Sequence, residues 1–184
     1  MMTPNSEFTL IELDTYDLND DLLNHFERKQ NVTKCYLFVN NEWILKEVVF
    51  VEEWSEKEKF KLIKCDLQNC IDTGDAVLGI FTKSKHLIGF SSLQGQKFGK
   101  DFEYVQLQEF HISNLYRGLG LGKKLFQETT KKAKMLGAKK LYISSHSAVE
   151  TVNFYLRQGC TDASLISEEL ATAEPFDRQM EYIL

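Results

Sequence analysis

Arg117-Gly118-Leu119-Gly120-Leu121-Gly122-Lys123-Lys124-Leu125 combines glycine and positive charge at the point where an apolar segment, Tyr104 to Ile112, gives way to a helical one. A strand that passes through a glycine-rich turn into a helix N-terminus aims unpaired backbone N–H groups and the positive end of the helix dipole at one place. Such a place holds phosphate. The kind of phosphate loop follows from spacing. A P-loop needs glycine where this chain has Arg117 and Ser or Thr where it has Lys124. The dinucleotide fingerprint sets its third glycine one residue beyond Gly122. Neither fits.

Arg-x-x-Gly-x-Gly, read as Arg117, Gly120 and Gly122, does fit, and it resembles the acyl-CoA pyrophosphate loop of the GNAT-type N-acetyltransferase superfamily. The bland reading of the same residues is a glycine-rich strand-to-helix turn. The order strand, helix, strand, helix from Tyr104 to Gly159 resembles the core half of the GNAT fold, in which two parallel strands splay apart around the pantetheine arm. The similarity is looser through the preceding hairpin, at Gln30 and Trp43, and at Glu174-Pro175-Phe176-Asp177, where it is to bacterial relatives.

The resemblance implies a role for each matching position. Backbone N–H groups of Leu119 to Lys123, with Gly118, Leu121 and the starting Arg117, would cradle the pyrophosphate of acetyl-CoA, with Gly120 and Gly122 allowing close approach. The strand end Phe110-His111-Ile112 would lie against the cofactor, through main-chain groups of Phe110 and Ile112. Asn153-Phe154-Tyr155-Leu156-Arg157-Gln158-Gly159-Cys160 looks like the family's Phe-Tyr-x-x-x-Gly-Phe segment. By that likeness Tyr155 protonates the departing thiolate and Asn153 lies beside the cofactor, with Cys160 in place of the usual Phe. Glu109 is the candidate base, weighed against a solvent-facing carboxylate on an alternating strand. Gln106, at a position that is acidic in some relatives, cannot take a proton. His111 and His146 read first as structural histidines.

The implied reaction moves an acetyl group from acetyl-CoA to a primary amine by direct attack, with no metal. The acceptor is a small-molecule amine or a peptide or protein amine. A non-catalytic acyl-CoA-binding module, or a transferase of another acyl group or acceptor, stays open at this stage.

Elements must position these residues. Asp17 to Arg28 places Leu18, Leu22, Leu23 and Phe26 at helical spacing. Cys35 to Val39 and Trp43 to Val51 form a hairpin about Asn40-Asn41-Glu42 that covers the core or walls the acceptor site. Ser55-Glu56-Lys57-Glu58 has capping-box spacing for a helix through Phe60, Ile63, Leu67, Cys70 and Ile71 to the stop at Gly74. Ala76 to Phe81 and Leu87 to Leu93 form a second hairpin, and Gln96 to Asp101 a polar connection to the strand Tyr104 to Ile112. Leu121, Leu125, Thr129, Ala133 and Leu136 mark a helix ending at Gly137. Leu141 to Ser145, Ala148 to Gln158 and Arg178 to Ile183 read as strand, helix and strand.

The expected fold is α/β (α+β), a mixed and mostly antiparallel sheet with a splayed parallel pair flanked by helices. It comprises one domain over residues 1–184: an acceptor-side region over about 1–75 and an acetyl-CoA-binding core over about 76–184. The chain's 184 residues, 43% apolar and 27% charged, are globular values. A net charge of −5 argues against nucleic-acid and anionic-membrane surfaces. No apolar run approaches a membrane span and Met1 to Glu12 has no signal-peptide pattern, so the expectation is a cytoplasmic protein. Cys35, Cys65, Cys70 and Cys160 then read as reduced thiols. A homodimer is among the assemblies allowed.

Overall fold

The computed structural model describes residues 7–184. Seven strands form one sheet in the order β1-β4-β5-β6-β7-β9-β8, from Phe8–Glu12, Ala76–Thr82, Leu87–Phe98, Tyr104–Ile112, Lys140–Ser145, Arg178–Ile183 and Thr161–Asp162. β2 (Lys29–Val39) and β3 (Glu42–Glu53) make a separate hairpin. Its turn puts Asn40 and Asn41 at φ 49° and 64°, a left-handed pair that asparagine tolerates and that a two-residue hairpin loop requires.

β4 and the first half of β5 are buried along their length because both sheet faces are covered. On one face lie α3 (Leu121–Met135) and α4 (Val149–Gln158), packing Phe126, Ala133, Val152 and Tyr155 against Val105, Leu107, Leu141 and Ile143. The other face carries a long helical segment: α1 (Glu56–Lys61), a π-helical turn (Leu62–Leu67) and α2 (Gln68–Asp72). Ile63, Leu67 and Cys70 pack there with Leu18, Leu23, Phe26 and Phe90. The Ser55 capping box is formed, with both reciprocal bonds. A short helix, α5 (Glu168–Ala173), precedes β9.

Between Asp17 and Arg28 the chain makes successive turns instead of the expected helix. Leu18, Leu23 and Phe26 are buried as their spacing suggests. Acidic and amide side chains take the local backbone bonds: Asp17 accepts from the Asp14 N–H, Asp14 from Tyr16 and Asn19 from Asp21. Such bonds compete with helix formation, which is why periodicity misled here. β5 likewise runs on through Phe98, taking in residues expected to form a polar connection, because Phe98 stacks on Tyr104 at 5.3 Å. β1, β8 and α5 had no anticipated counterpart.

One irregularity shapes the sheet. Ser92 pairs with Glu109 and Leu93 with Leu107, so Gln108 is an extra residue, a β-bulge. Upstream of it odd-numbered residues of β6 face α3; downstream, Phe110 and Ile112 do. The parallel pairing of β6 with β7 spans Tyr104–Leu107 against Lys140–Ile143 and ends at the bulge. The rest of β6 departs from β7, whose Ser144 and Ser145 remain paired with β9.

All four cysteines are free thiols, with Cys65 exposed and the others buried. Among the described residues no helix is long and apolar enough to cross a membrane.

Candidate active site

The gap between the departing strands is lined by backbone. Ser113 N–H donates to Ile88 O (2.8 Å) and the His111 carbonyl faces Gly89, so these residues spend their main-chain groups on β5. By strand alternation the N–H and C=O groups of Phe110 and Ile112 point the other way, into the gap. Arg117 Nε donates to Ile112 O at 3.1 Å, tying the turn to the end of the strand.

From Arg117 the chain enters α3 through Gly118 and Gly120, at φ 78° and 79°. Both angles lie in the left-handed region, where a Cβ is strained. Gly120 is the N-cap of α3 and no side chain caps the helix, so the N–H groups of Leu121, Gly122 and Lys123 are left for a ligand. A Cβ added at Gly118 or Gly120 would meet nothing within 4 Å, so the space in front of the turn is open and fits a diphosphate. Gly122 also has a packing role. A Cβ there would lie 3.2 Å from the Phe154 ring and 3.8 Å from Ile112, so its missing side chain admits α4.

Tyr155 is 5% exposed at the floor of the gap, in a cluster where its ring lies 6.1 Å from both Phe110 and Phe126 and 5.2 Å from Phe154. Burial pushes its hydroxyl pKa far up, and the charges of Cys160, Glu109 and Asp177 add to the effect. Asp177 is pushed up by burial, against a hydrogen bond from Ser144 Oγ at 3.1 Å. Asn153 faces the hairpin: its Oδ1 accepts from the Tyr36 hydroxyl at 3.2 Å, leaving its amide donors for a ligand.

Glu109 and His111 project from the opposite sheet face to Phe110. Glu109 Oε2 lies 2.7 Å from His111 Nε2, and the His111 ring stands edge-on to Trp54 at 4.7 Å. Both side chains remain about one-fifth exposed, 21% and 19%, so solvent can reach them. His146 belongs to a structural bridge. Its Nε2 meets Glu52 at 3.0 Å and its Nδ1 accepts from Ala148 N–H, while Arg28 Nη2 donates to the other Glu52 oxygen at 2.7 Å. With the Tyr36 N–H to Ser147 O bond, these contacts seat the β2–β3 hairpin over the end of β7.

Sequence reading passed over Asp66, Trp54 and the Arg28–Glu52–His146 bridge. Asp66 left a signal: it falls at the helical interval between Ile63 and Cys70, a carboxylate on the apolar stripe. Trp54 and the bridge depend on long-range pairing that spacing does not encode.

No curated protein matches the sequence. Solved structures do. Nourseothricin acetyltransferase superposes with a TM-score of 0.68 at 13% identity, covering 97% of this chain and 99% of its own. A putative streptothricin acetyltransferase from Bacillus anthracis, in complex with acetyl coenzyme A, gives 0.68 at 16% identity, with 96% and 97% covered. The GNAT family N-acetyltransferase YhbS of Escherichia coli, in complex with CoA, gives 0.61 at 14% identity, with 100% and 84% covered. At such identities the likeness is one of fold. The sequence itself matches the model of the acetyltransferase (GNAT) family over residues 22–160, and the chain belongs to that family.

Proposed function

We propose that this protein is an N-acetyltransferase that moves the acetyl group of acetyl-CoA directly to a primary amine, with both substrates bound together. The observation that carries the reading is the joint placement of two features: the open, uncapped N-terminus of α3 and the gap left where β6 quits β7 after Leu107. In our reading the amides of Leu121 to Lys123 bind the diphosphate, and the main-chain groups of Phe110 and Ile112 bind the pantetheine arm and polarise the thioester.

The amine nitrogen forms a bond to the thioester carbonyl carbon as the C=O electrons move to oxygen. Collapse then breaks the C–S bond. Glu109 receives the nitrogen proton and Tyr155 gives its proton to the departing sulfur; exchange with solvent restores both groups. A hydroxyl whose pKa is raised by burial is held in its protonated form, as a donor must be. Positioning and oxyanion stabilisation supply most of the acceleration. The names of two structural neighbours, nourseothricin acetyltransferase and a putative streptothricin acetyltransferase, make nourseothricin and streptothricin reasonable first acceptors to assay.

The test is calorimetry with acetyl-CoA followed by a thiol-release assay over a panel of primary amines. Tight binding with turnover on at least one amine is expected. Binding with no turnover on any amine would instead make the protein an acyl-CoA-binding module, and no binding would remove the transferase reading.

A further inference from the structure

β2 and β3 form a sheet of their own, and their register sorts the side chains onto two faces. On one, Tyr36 pairs with Leu45, Phe38 with Trp43 and Val32 with Phe50. This face is seated on the body of the protein. The Tyr36 hydroxyl reaches Asn153, Trp43 Nε1 donates to Asp162, and the Phe50 ring lies 6.0 Å from His146. On the opposite face Leu37 pairs with Ile44 and Asn31 with Val51. Thr33 lies there opposite Val48 and Val49, where β3 bulges between its pairings at Val32 and Lys34.

An antiparallel sheet that rests one face on a protein turns polar residues outward on the other. The hairpin does the reverse. Val39, Ile44, Val49 and Val51 are each more than two-fifths exposed, Val49 by 89%. Cys35 is the buried member of this outward face, packed with Ala148. A continuous exposed apolar strip of this kind marks an interaction surface.

We infer that the outward face of the hairpin is covered by the same face of a second copy of this chain, related to it by a two-fold axis. Charge selects this occupant. The face carries Lys29 paired with Glu53 at its base, Lys46 midway and Glu42 at its tip, two charges of each sign. Two such faces meet without net repulsion, although the whole chain carries −5. An anionic bilayer would instead require a surplus of lysines. Size agrees as well. β3 has 12 residues, so the strip is about 40 Å long and roughly 10 Å wide. Two strips packed together would bury on the order of 1,000 Å² in all, about the least that a specific interface needs. An isologous contact also closes on itself and leaves no further copy to recruit.

The experiment is sedimentation velocity on the full chain over a concentration series from about 1 to 200 µM, where an interface of this size dissociates. Wild type should pass from monomer to dimer within the series. Val49→Lys should weaken the dimer about tenfold or more, and Ile44→Lys, elsewhere on the same face, should do the same. Met135→Lys, 79% exposed near the end of α3, is the control and should leave the dimer intact. All three variants should keep the wild-type melting temperature at the lowest concentration, where the protein is monomeric, as exposed substitutions do. A monomer at every concentration, a dimer that both hairpin variants leave intact, or equal weakening by Met135→Lys would each overturn the inference. So would a monomer that floats with vesicles of anionic phospholipid.

Discussion

Glu109 and His111 share one hydrogen bond, 2.7 Å long, from alternate positions of a strand that has already parted from its neighbour. The strand's two-residue period puts both side chains on the Trp54 side of the sheet, and the bulge at Gln108 puts Phe110, between them, on the other. A carboxylate that holds an imidazole can pass it a proton or merely fix its orientation. The two roles separate by mutation. Glu109→Gln should lower kcat by about 10²- to 10⁴-fold if Glu109 takes the amine proton, with the acidic limb of the rate profile altered. His111→Gln should cost less and leave acetyl-CoA affinity unchanged. A Glu109→Gln enzyme with an unaltered rate and profile would transfer the base role to water or another residue.

Tyr155→Phe keeps the ring that packs on Phe110 and Phe126 and removes only the hydroxyl. Stability should change by less than about 1 kcal/mol, since little packing is lost. Acetyl-CoA binding should persist while thiol release falls about 10²-fold or more. A fall in acetyl-CoA binding with kcat intact would show the hydroxyl binding the cofactor without serving as an acid.

The part of the fold nearest the coenzyme was legible in the sequence because local rules dictate it. Tyr104–Ile112 and Arg178–Ile183 match their expected bounds, and Gly120 caps α3 where the motif places the turn. These features depend on backbone geometry and short periodicity. The N-terminal region was less legible. Phe26 packs on Phe90 and Trp54 on His111, contacts between segments far apart in the chain, and the turns from Asp17 to Arg28 imitate a helix in their apolar spacing. The bulge at Gln108 left no glycine to announce it. It decides which face Glu109 occupies, and it is held from across the layer by Cys70.

The three glycines of the turn should fail in different ways. Gly118→Ala and Gly120→Ala meet open space but must hold φ near +78°, which costs about 1–2 kcal/mol each. At Gly120 the strain falls on the helix cap itself, so acetyl-CoA affinity should drop along with stability. Gly122→Ala keeps an ordinary helical backbone and presses instead on Phe154, so its main effect should be on the melting temperature and on the aromatic floor under Tyr155. Parallel calorimetry and thermal melts on the three variants would check this order.

The bridge that seats the hairpin carries its own pH signature. The hydrogen bond from His146 is the largest influence on Glu52, and with Arg28 it outweighs burial to hold that carboxyl at about 2, below its ordinary 4.5. A depressed carboxyl contributes stability in full above 4.5, and that contribution is lost as pH falls towards 2. His146 runs the opposite way: Glu52 raises it above its ordinary 6.5, against burial, so its contribution is present below 6.5 and is lost as pH climbs through the raised value. Hairpin docking should therefore be firmest between about 4.5 and 6.5. Hydrogen exchange at the Tyr36 amide, which donates to Ser147 O, should be slowest in that window relative to the intrinsic rate. In Glu52→Gln both limbs should flatten, and protection should fall most near pH 5.5, about the middle of the window. Unchanged pH dependence in that variant would mean that the apolar contacts of Val32 and Ala148, with the backbone bridge at Cys35, hold the hairpin without the ionic bridge.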